Sequence, residues 1–357
     1  MEMNNKTIAE EMRDKLYEDG VTIYSFSRLM ALKNCMHEFK FTYIDKIKGR
    51  DNIWSKLGSA LHDCLERIYR NELDESQLVN EYFKEYDKII EEGYKFPTDT
   101  IHENTTKAVN NFLDNFKKKD YKQCECERFF LTQVEGHWLQ GYIDLIVWND
   151  DGTVSVVDYK VSSKFSKNDL IDKGKQLTLY AYALEKQGYK VKGTYFNMLK
   201  YVNLKWNVGR KKSPLTERKN IWDASNKQRL LIACEKHGMT EDQAIELWLD
   251  LYQRNSLDIP EWLNEYLVIE DGLVEWEYNE EHLNELKEFV RSNVAELEKE
   301  TEYKPVKIDS KTSFYCSNLC GHSSRCSAYQ KYLESLPVRF DDGGSATISN
   351  ITLSDLF

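Results

Sequence analysis

The ten residues VSVVDYKVSS, 154–163, constrain the fold more than any other stretch of the chain. Apolar, β-branched residues dominate it, as in a strand buried within a sheet. Yet it carries a carboxylate, Asp158, and an ammonium, Lys160. Residues i and i+2 of a strand share a face, so these two charges lie together and Tyr159 points the other way. Charge is expensive to bury unless it is paired or otherwise satisfied. Taken alone, an Asp-x-Lys reads as a salt bridge at a sheet edge or on a solvated face. Its surroundings decide whether it is more than that.

The preceding residues give it a sheet. ERFFLTQV (127–134) and HWLQGYIDLIVW (137–148) read as strands, and NDDGT (149–153) as the turn of a hairpin that VSVVDYK completes. Asp144 lies in the middle strand. Neighbouring strands run about 5 Å apart, so in the right register Asp144 and Asp158 can share one divalent cation. Two carboxylates that close repel each other unless a cation or a proton intervenes. Mg²⁺ prefers oxygen ligands and keeps waters and substrate phosphates in its shell. Held there, it would orient a scissile phosphate, help deprotonate water and stabilise charge in the transition state, with Lys160 holding the water or neutralising that charge.

Helical periodicity surrounds this hairpin. Residues 22–47 read as helical, with Ser25 or Ser27 as a cap, and 55–72 as a second helix with Leu57, Ala60, Leu61, Leu65 and Ile68 on its apolar face. A helix over 169–188 is followed by a strand over 190–199, giving a small α/β core. Residues 201–300 read as mostly helical, with Thr240 and Gln243 in capping-box spacing. The expected domains are an α/β core over 21–200 that includes the N-terminal helical part, a helical insertion or subdomain over 201–300, a cysteine cluster over 301–335 that closes onto the N-terminal helix, and a flexible tail over 341–357.

These elements, in this order, resemble the PD-(D/E)xK nuclease superfamily, and within it the RecB-like and Cas4-like exonucleases. GSALH supplies His62 as the extra metal-binding histidine, GYIDLI supplies Asp144, and DYK supplies Asp158 and Lys160. QLTLYAY supplies Gln176 and Tyr180 in the Gln-x-x-x-Tyr pattern, which the resemblance assigns to positioning DNA and active-site groups. Glu127 fits the acidic residue often found at the start of the first core strand. The resemblance implies an α/β restriction-endonuclease-like core, a small mixed sheet flanked by helices, with a largely helical insertion. It implies Mg²⁺ or Mn²⁺ on His62, Asp144 and Asp158, and cleavage of DNA by hydrolysis at ends. A structure-selective endonuclease and a catalytically silent nucleic-acid-binding scaffold are the competing functions. Asp158 stands where many members carry Glu; Asp also binds Mg²⁺.

Eight cysteines include a tight group, Cys316, Cys320 and Cys326. Three thiolates are too few for a closed four-ligand site. The related exonucleases take the fourth from an N-terminal Ser-x-Ser helix followed by Cys, and YSFSRLMALKNCMHEFKFTY matches that with Cys35. The resemblance thus implies a [4Fe-4S] cluster joining the two ends of the nuclease domain. There are two departures. Three residues, not two, separate Cys316 from Cys320, and Met36 stands where Pro is usual. Tetrahedral sulfur sites also accept Zn²⁺, and His322 offers a Cys₃His zinc site without Cys35. Cys64 and Cys234 read as packing residues.

The formal net charge of -11 is no bar to DNA, because a local cleft of cations and metal can hold phosphate on an acidic protein. Lys164, Lys167, Lys173 and Lys175, beyond the DYK strand, are candidates for phosphate contacts, and NVGRKKSPLTERK (207–219) is a second basic loop. The chain has no Gly-x₄-Gly-Lys-[Ser/Thr] P-loop, so unwinding would need a partner helicase. A single-strand-binding protein and a sliding clamp are further candidate partners. The clamp would take the terminal ITLSDLF, which lacks the usual opening glutamine. With neither a signal segment nor a long apolar run, the expected location is cytoplasmic, away from any membrane.

Overall fold

The computed structural model describes residues 7–209, 215–299 and 302–336, and the backbone of 338–340 and 346–348. The chain divides into two compact units. The first comprises Met1–Lys56, Leu131–Gly141 and Glu285–Phe357; the second comprises Leu57–Phe130 and Tyr142–Asn284.

In chain order the elements are α1 (Ile8–Glu18), β1 (Ile23–Ser25), α2 (Phe26–Asn34), α3 (Met36–Phe39), α4 (Ile53–Tyr69), α5 (Leu78–Glu91) and α6 (Asp99–Asn115). There follow β2 (Cys124–Val134), β3 (His137–Trp148), β4 (Val154–Lys160), α7 (Lys167–Lys186), β5 (Val191–Trp206) and β6 (Thr216–Glu217). The remainder are α8 (Ala224–Lys236), α9 (Glu241–Arg254), β7 (Leu267–Trp276), α10 (Glu280–Glu298), α11 (Ser327–Ser335), β8 (Val338–Phe340) and β9 (Ala346–Ile348).

The helix expected over 22–47 is interrupted twice. Ile23–Ser25 is a strand, parallel to the start of β3 with Ile23 beside Trp138. Ser25 then caps α2, its hydroxyl accepting from the Arg28 amide at 3.1 Å. Cys35, extended at φ -159°, breaks α2 from α3. Both breaks have local causes: a β-branched Ile before an N-cap serine, and a cysteine that leaves the helical path.

The second unit carries a mixed sheet flanked by helices. β3 pairs antiparallel with β4, β4 runs parallel to β5, and β5 pairs antiparallel with both β6 and β7. The parallel step needs a crossover, and α7 supplies it. Ser166 and Asp169 form a capping box at the start of α7. At its far end Gly188 adopts φ 91°. The inner side of α7 buries Leu177, Ala181 and Leu184 completely. Leu61 and Leu65 of α4 are likewise at 0% exposure, each worth about 1.5–3 kcal/mol of transfer free energy.

Residues 201–300 are largely helical, as expected, but they are not helical alone. α8, α9 and the whole of α10 are helical, and the stretch also supplies β6, β7 and the end of β5. Its β7 register runs from Thr194 opposite Trp276 to Trp206 opposite Leu267. The two strands lose register between Asn197 and Val202, a bulge facing Gly272. A Cβ at Gly272 would meet the Met198 and Tyr201 carbonyl oxygens at 2.7 Å, so only glycine fits. The capping box at Thr240 and Gln243 is present. Of the expected tail, Ala346–Ile348 pairs antiparallel with Val338–Phe340; the rest, including ITLSDLF, lies outside the described residues. Among the described residues no helix is long and apolar enough to cross a membrane.

Candidate active site and cysteine pocket

β4 is buried along almost its whole length, and Asp158 is 1% exposed. The β3–β4 ladder sets Leu145 opposite Val157, and one further step of that register brings Asp144 opposite Asp158. The ladder ends there. The Tyr159 amide donates instead to the Asp144 carboxylate, 2.9 Å from Oδ2. On the other side of that carboxylate stands His62 from α4, its Nδ1 3.6 Å from Asp144 Oδ2. Glu127 of β2 completes the group: donor atoms of His62, Glu127 and Asp144 all lie within 4.8 Å of one another. That is a spacing at which one cation can be held by several ligands.

Asp158 is held differently. Its carboxylate forms an ion pair with Lys160, as the bland reading of Asp-x-Lys anticipates. Apart from that contact both of its oxygens are buried without a hydrogen-bond donor. Such groups are rare in folded chains and ask for a partner.

The electrostatics of the site are strained. Burial raises the Asp144 carboxyl well above its usual range, and the Asp158 charge raises it further. Burial and the nearby Glu66 push Glu127 up as well. Burial alone would pull Lys160 down, but Asp158 and Asp144 outweigh it and hold the ammonium charged. Burial lowers the His62 imidazole, which keeps it neutral and able to act as a ligand. Three carboxylates near one neutral histidine are a donor set suited to a divalent cation, which would relieve both the repulsion and the missing partners.

Helix α7 closes the site from the next layer. Gln176 Nε2 donates to the Tyr180 hydroxyl at 2.7 Å, and Tyr180 is 5% exposed. Burial and the Asp158 and Asp144 charges raise the Tyr180 phenol, so it stays protonated. Lys173, one turn before Gln176, feels burial and the Lys160 charge, which together lower it. Lys175 is turned away, its ammonium on the Ile171 carbonyl and on Asp172. Residues 210–214 of the second basic loop lie outside the described residues; beyond them Lys219 pairs with Glu217 and Arg218 is buried.

Glu127 carries the clearest local strain. It holds φ 50° inside β2, in the left-handed region that non-glycine residues avoid. A kink of this kind re-aims a side chain out of strand alternation. Sequence reading marks the residue but has no means of finding the kink.

In the first unit, Cys35, Cys316, Cys320 and Cys326 line one pocket, with His37, Glu38, Tyr315 and His322 around them. Burial, with Cys35 and Cys326 nearby, pushes the Cys316 thiol up to about 11. Burial and the Glu38 charge push Cys320 up to about 12. The third residue between Cys316 and Cys320 is absorbed by a π turn over Tyr315–Leu319, where the Cys320 amide donates five residues back to the Tyr315 carbonyl at 2.9 Å. His322 is 2% exposed; its Nε2 bonds the Thr42 hydroxyl at 2.9 Å, and its Nδ1 is buried without a partner. Gly321 allows this loop to lie against the chain at Gly49 and Arg50, where a Cβ would meet the Arg50 carbonyl oxygen at 2.8 Å. The Arg50 amide in turn donates to the Gly321 carbonyl at 2.9 Å.

The mixed sheet with its buried Asp-x-Lys, acidic neighbour and crossover helix defines a nuclease-type α/β core. Residues 23–327 match the family model described as "PD-(D/E)XK nuclease superfamily". The chain belongs to that superfamily, whose members are metal-dependent nucleases. No curated protein matches the chain. Among solved structures, one described as "Crystal structure of SSO0001" is 14% identical over 84% of this chain and 95% of its own, with a TM-score of 0.28. At that score the likeness carries no argument.

Proposed function

We propose that this chain is a Mg²⁺- or Mn²⁺-dependent deoxyribonuclease that hydrolyses phosphodiester bonds at DNA ends, in recombination, repair, replication or phage DNA processing. The observation that carries this is the convergence of His62, Glu127 and Asp144 beside the buried Asp158–Lys160 pair. His62, Asp144 and Asp158 would hold the cation, with Glu127 alongside. A divalent ion bound there polarises the phosphoryl oxygen and makes water more acidic. The remaining work belongs to the chain. Lys160 keeps its charge and would position the attacking water or offset developing negative charge. The protonated Tyr180 hydroxyl, tied to Gln176, would orient the substrate backbone against β4.

In the first unit Cys35, Cys316, Cys320 and Cys326 would hold a [4Fe-4S] cluster. Four thiols lining one pocket support this reading, and the π turn accommodates the extra residue between Cys316 and Cys320. Its role would be structural, since phosphodiester hydrolysis changes no oxidation state. Zinc, with His322 as a ligand, is the other outcome that metal analysis and visible absorbance would report.

The test is digestion of end-labelled single- and double-stranded DNA with Mg²⁺ or Mn²⁺, beside a closed circular control. The wild type is expected to degrade linear DNA and spare the circle. Asp158→Ala is expected to lose at least about 10²-fold in rate. Unchanged digestion by that variant would sink the site assignment. Cleavage of the closed circle would replace the exonuclease with an endonuclease.

A further inference from the structure

Arg218 is 5% exposed, yet no carboxylate lies within ion-pair distance of it among the described residues. Its Nε donates to the Tyr201 carbonyl at 3.1 Å, a group at the β5 bulge. Its Nη1 donates to the Asn111 side chain at 3.2 Å. Its Nη2 has no hydrogen-bond partner among the described residues. The nearby acid, Asp271, is committed to Lys119 at 2.5 Å. Burial pulls the guanidinium down to about 10, which still leaves it charged at neutral pH. A buried charge without a counter-charge is costly, and chains that keep one generally use it.

Arg218 lines a cavity of the second unit, walled by Tyr69, Tyr121 and Tyr159, with Lys117 and Lys119 also on its lining. Three cations and one acid, Asp271, give it a positive balance. Lys117 is exposed and has no ion-pair partner among the described residues. Tyr159 is the strand residue between Asp158 and Lys160, so the cavity lies on the opposite face of β4 from the catalytic pair. Its lining includes none of His62, Glu127, Asp144 and Asp158, although the His62 ring meets the Tyr159 ring edge-on, with centroids 6.0 Å apart.

We propose that this cavity is a phosphate-binding site, with Arg218 as its inner anchor and Lys117 as its outer one. The Nη2 group, left without a partner by the bonds of Nε and Nη1, can donate to a phosphate oxygen, and tyrosine hydroxyls can donate to the rest. The ligand is a phosphate dianion, either free or carried as the terminal phosphate of a nucleotide.

The full chain is titrated calorimetrically in EDTA, where the carboxylates of the catalytic face repel anions. Inorganic phosphate, thymidine 5′-monophosphate and thymidine serve as ligands. Saturable binding of a phosphate-bearing ligand, with none of thymidine, is expected. Lys117→Ala, on the surface, and Arg218→Lys, which keeps the charge and loses the fork, are each expected to weaken it about tenfold. Circular dichroism checks that both variants fold. Tighter binding of the nucleotide assigns the site to esterified phosphate, and equal or weaker binding to free phosphate; both support it. No saturable binding, or an affinity unchanged in both variants, overturns it. Since no cleavage is measured, failure here leaves the nuclease reading untouched.

Discussion

Asp144 sits where burial, the Asp158 charge and the Glu127 charge all oppose its ionisation. A carboxyl whose pKa is raised by folding binds protons that the unfolded chain has already released. Stability without metal should therefore rise as pH falls from neutrality through that window. Asp144→Asn removes the charge while keeping a polar acceptor for the Tyr159 amide. In EDTA at neutral pH it is expected to stabilise the chain by about 0.5–2 kcal/mol in urea unfolding, with a flatter pH dependence, while abolishing cleavage. A destabilised variant would mean that Asp144 is held by favourable contacts and not by function. At this scale periodicity places each candidate, His62, Asp144, Asp158, Lys160, Gln176 and Tyr180, on its own element, and tertiary packing brings them together. The left-handed backbone at Glu127 was not legible, because it depends on local geometry that composition does not encode.

Helix α7 lies so close to β7 that Gly174 has no room for a side chain. A Cβ there would fall deep inside the Trp276 ring, which is 6% exposed and anchored by its Nε1 donating to Thr178 Oγ1 at 3.0 Å. The ring cannot step aside without breaking that bond. Gly174→Ala is expected to cost about 1–3 kcal/mol by chemical denaturation. Because Gln176 and Tyr180 ride on the same helix, a loss of cleavage should accompany it even where the variant remains folded. Equal stability would show that α7 can lift off the sheet. The hairpin and the crossover helix were readable from alternation and capping. β7 was not, because LVIEDGLVEW breaks its alternation at Asp271–Gly272, opposite the β5 bulge, and sits among long amphipathic helices. The π turn at Tyr315–Leu319 was likewise hidden: a one-residue insertion shows in the sequence only as odd spacing.

The first unit is assembled from three separated stretches, Met1–Lys56, Leu131–Gly141 and Glu285–Phe357. The expected closing of the cysteine cluster onto the N-terminal helix anticipates that the first and last stretches belong together, whereas the inclusion of Leu131–Gly141 was hidden, since compactness depends on which distant segments pack together. Its cysteine pocket joins Cys35 to a loop almost three hundred residues later. On the proposed [4Fe-4S] assignment, Cys35→Ala is expected to abolish the visible absorbance that a cluster gives and to cost about 2–5 kcal/mol of stability, the range for losing a long cross-link. Cluster absorbance that survives the substitution would exclude Cys35 as a ligand.

The same interleaving has a consequence for biosynthesis. A ribosome has delivered every residue of the second unit by Asn284, whereas the first unit still lacks its final stretch. Domains tend to fold as they emerge, so the catalytic unit can form early while α1, α2 and Cys35 wait for their partners. The four cysteines cannot meet until Cys326 has left the exit tunnel. Any cofactor they take would thus be acquired only after Cys326 has emerged, which makes its supply a checkpoint on a nuclease whose cutting face is already built.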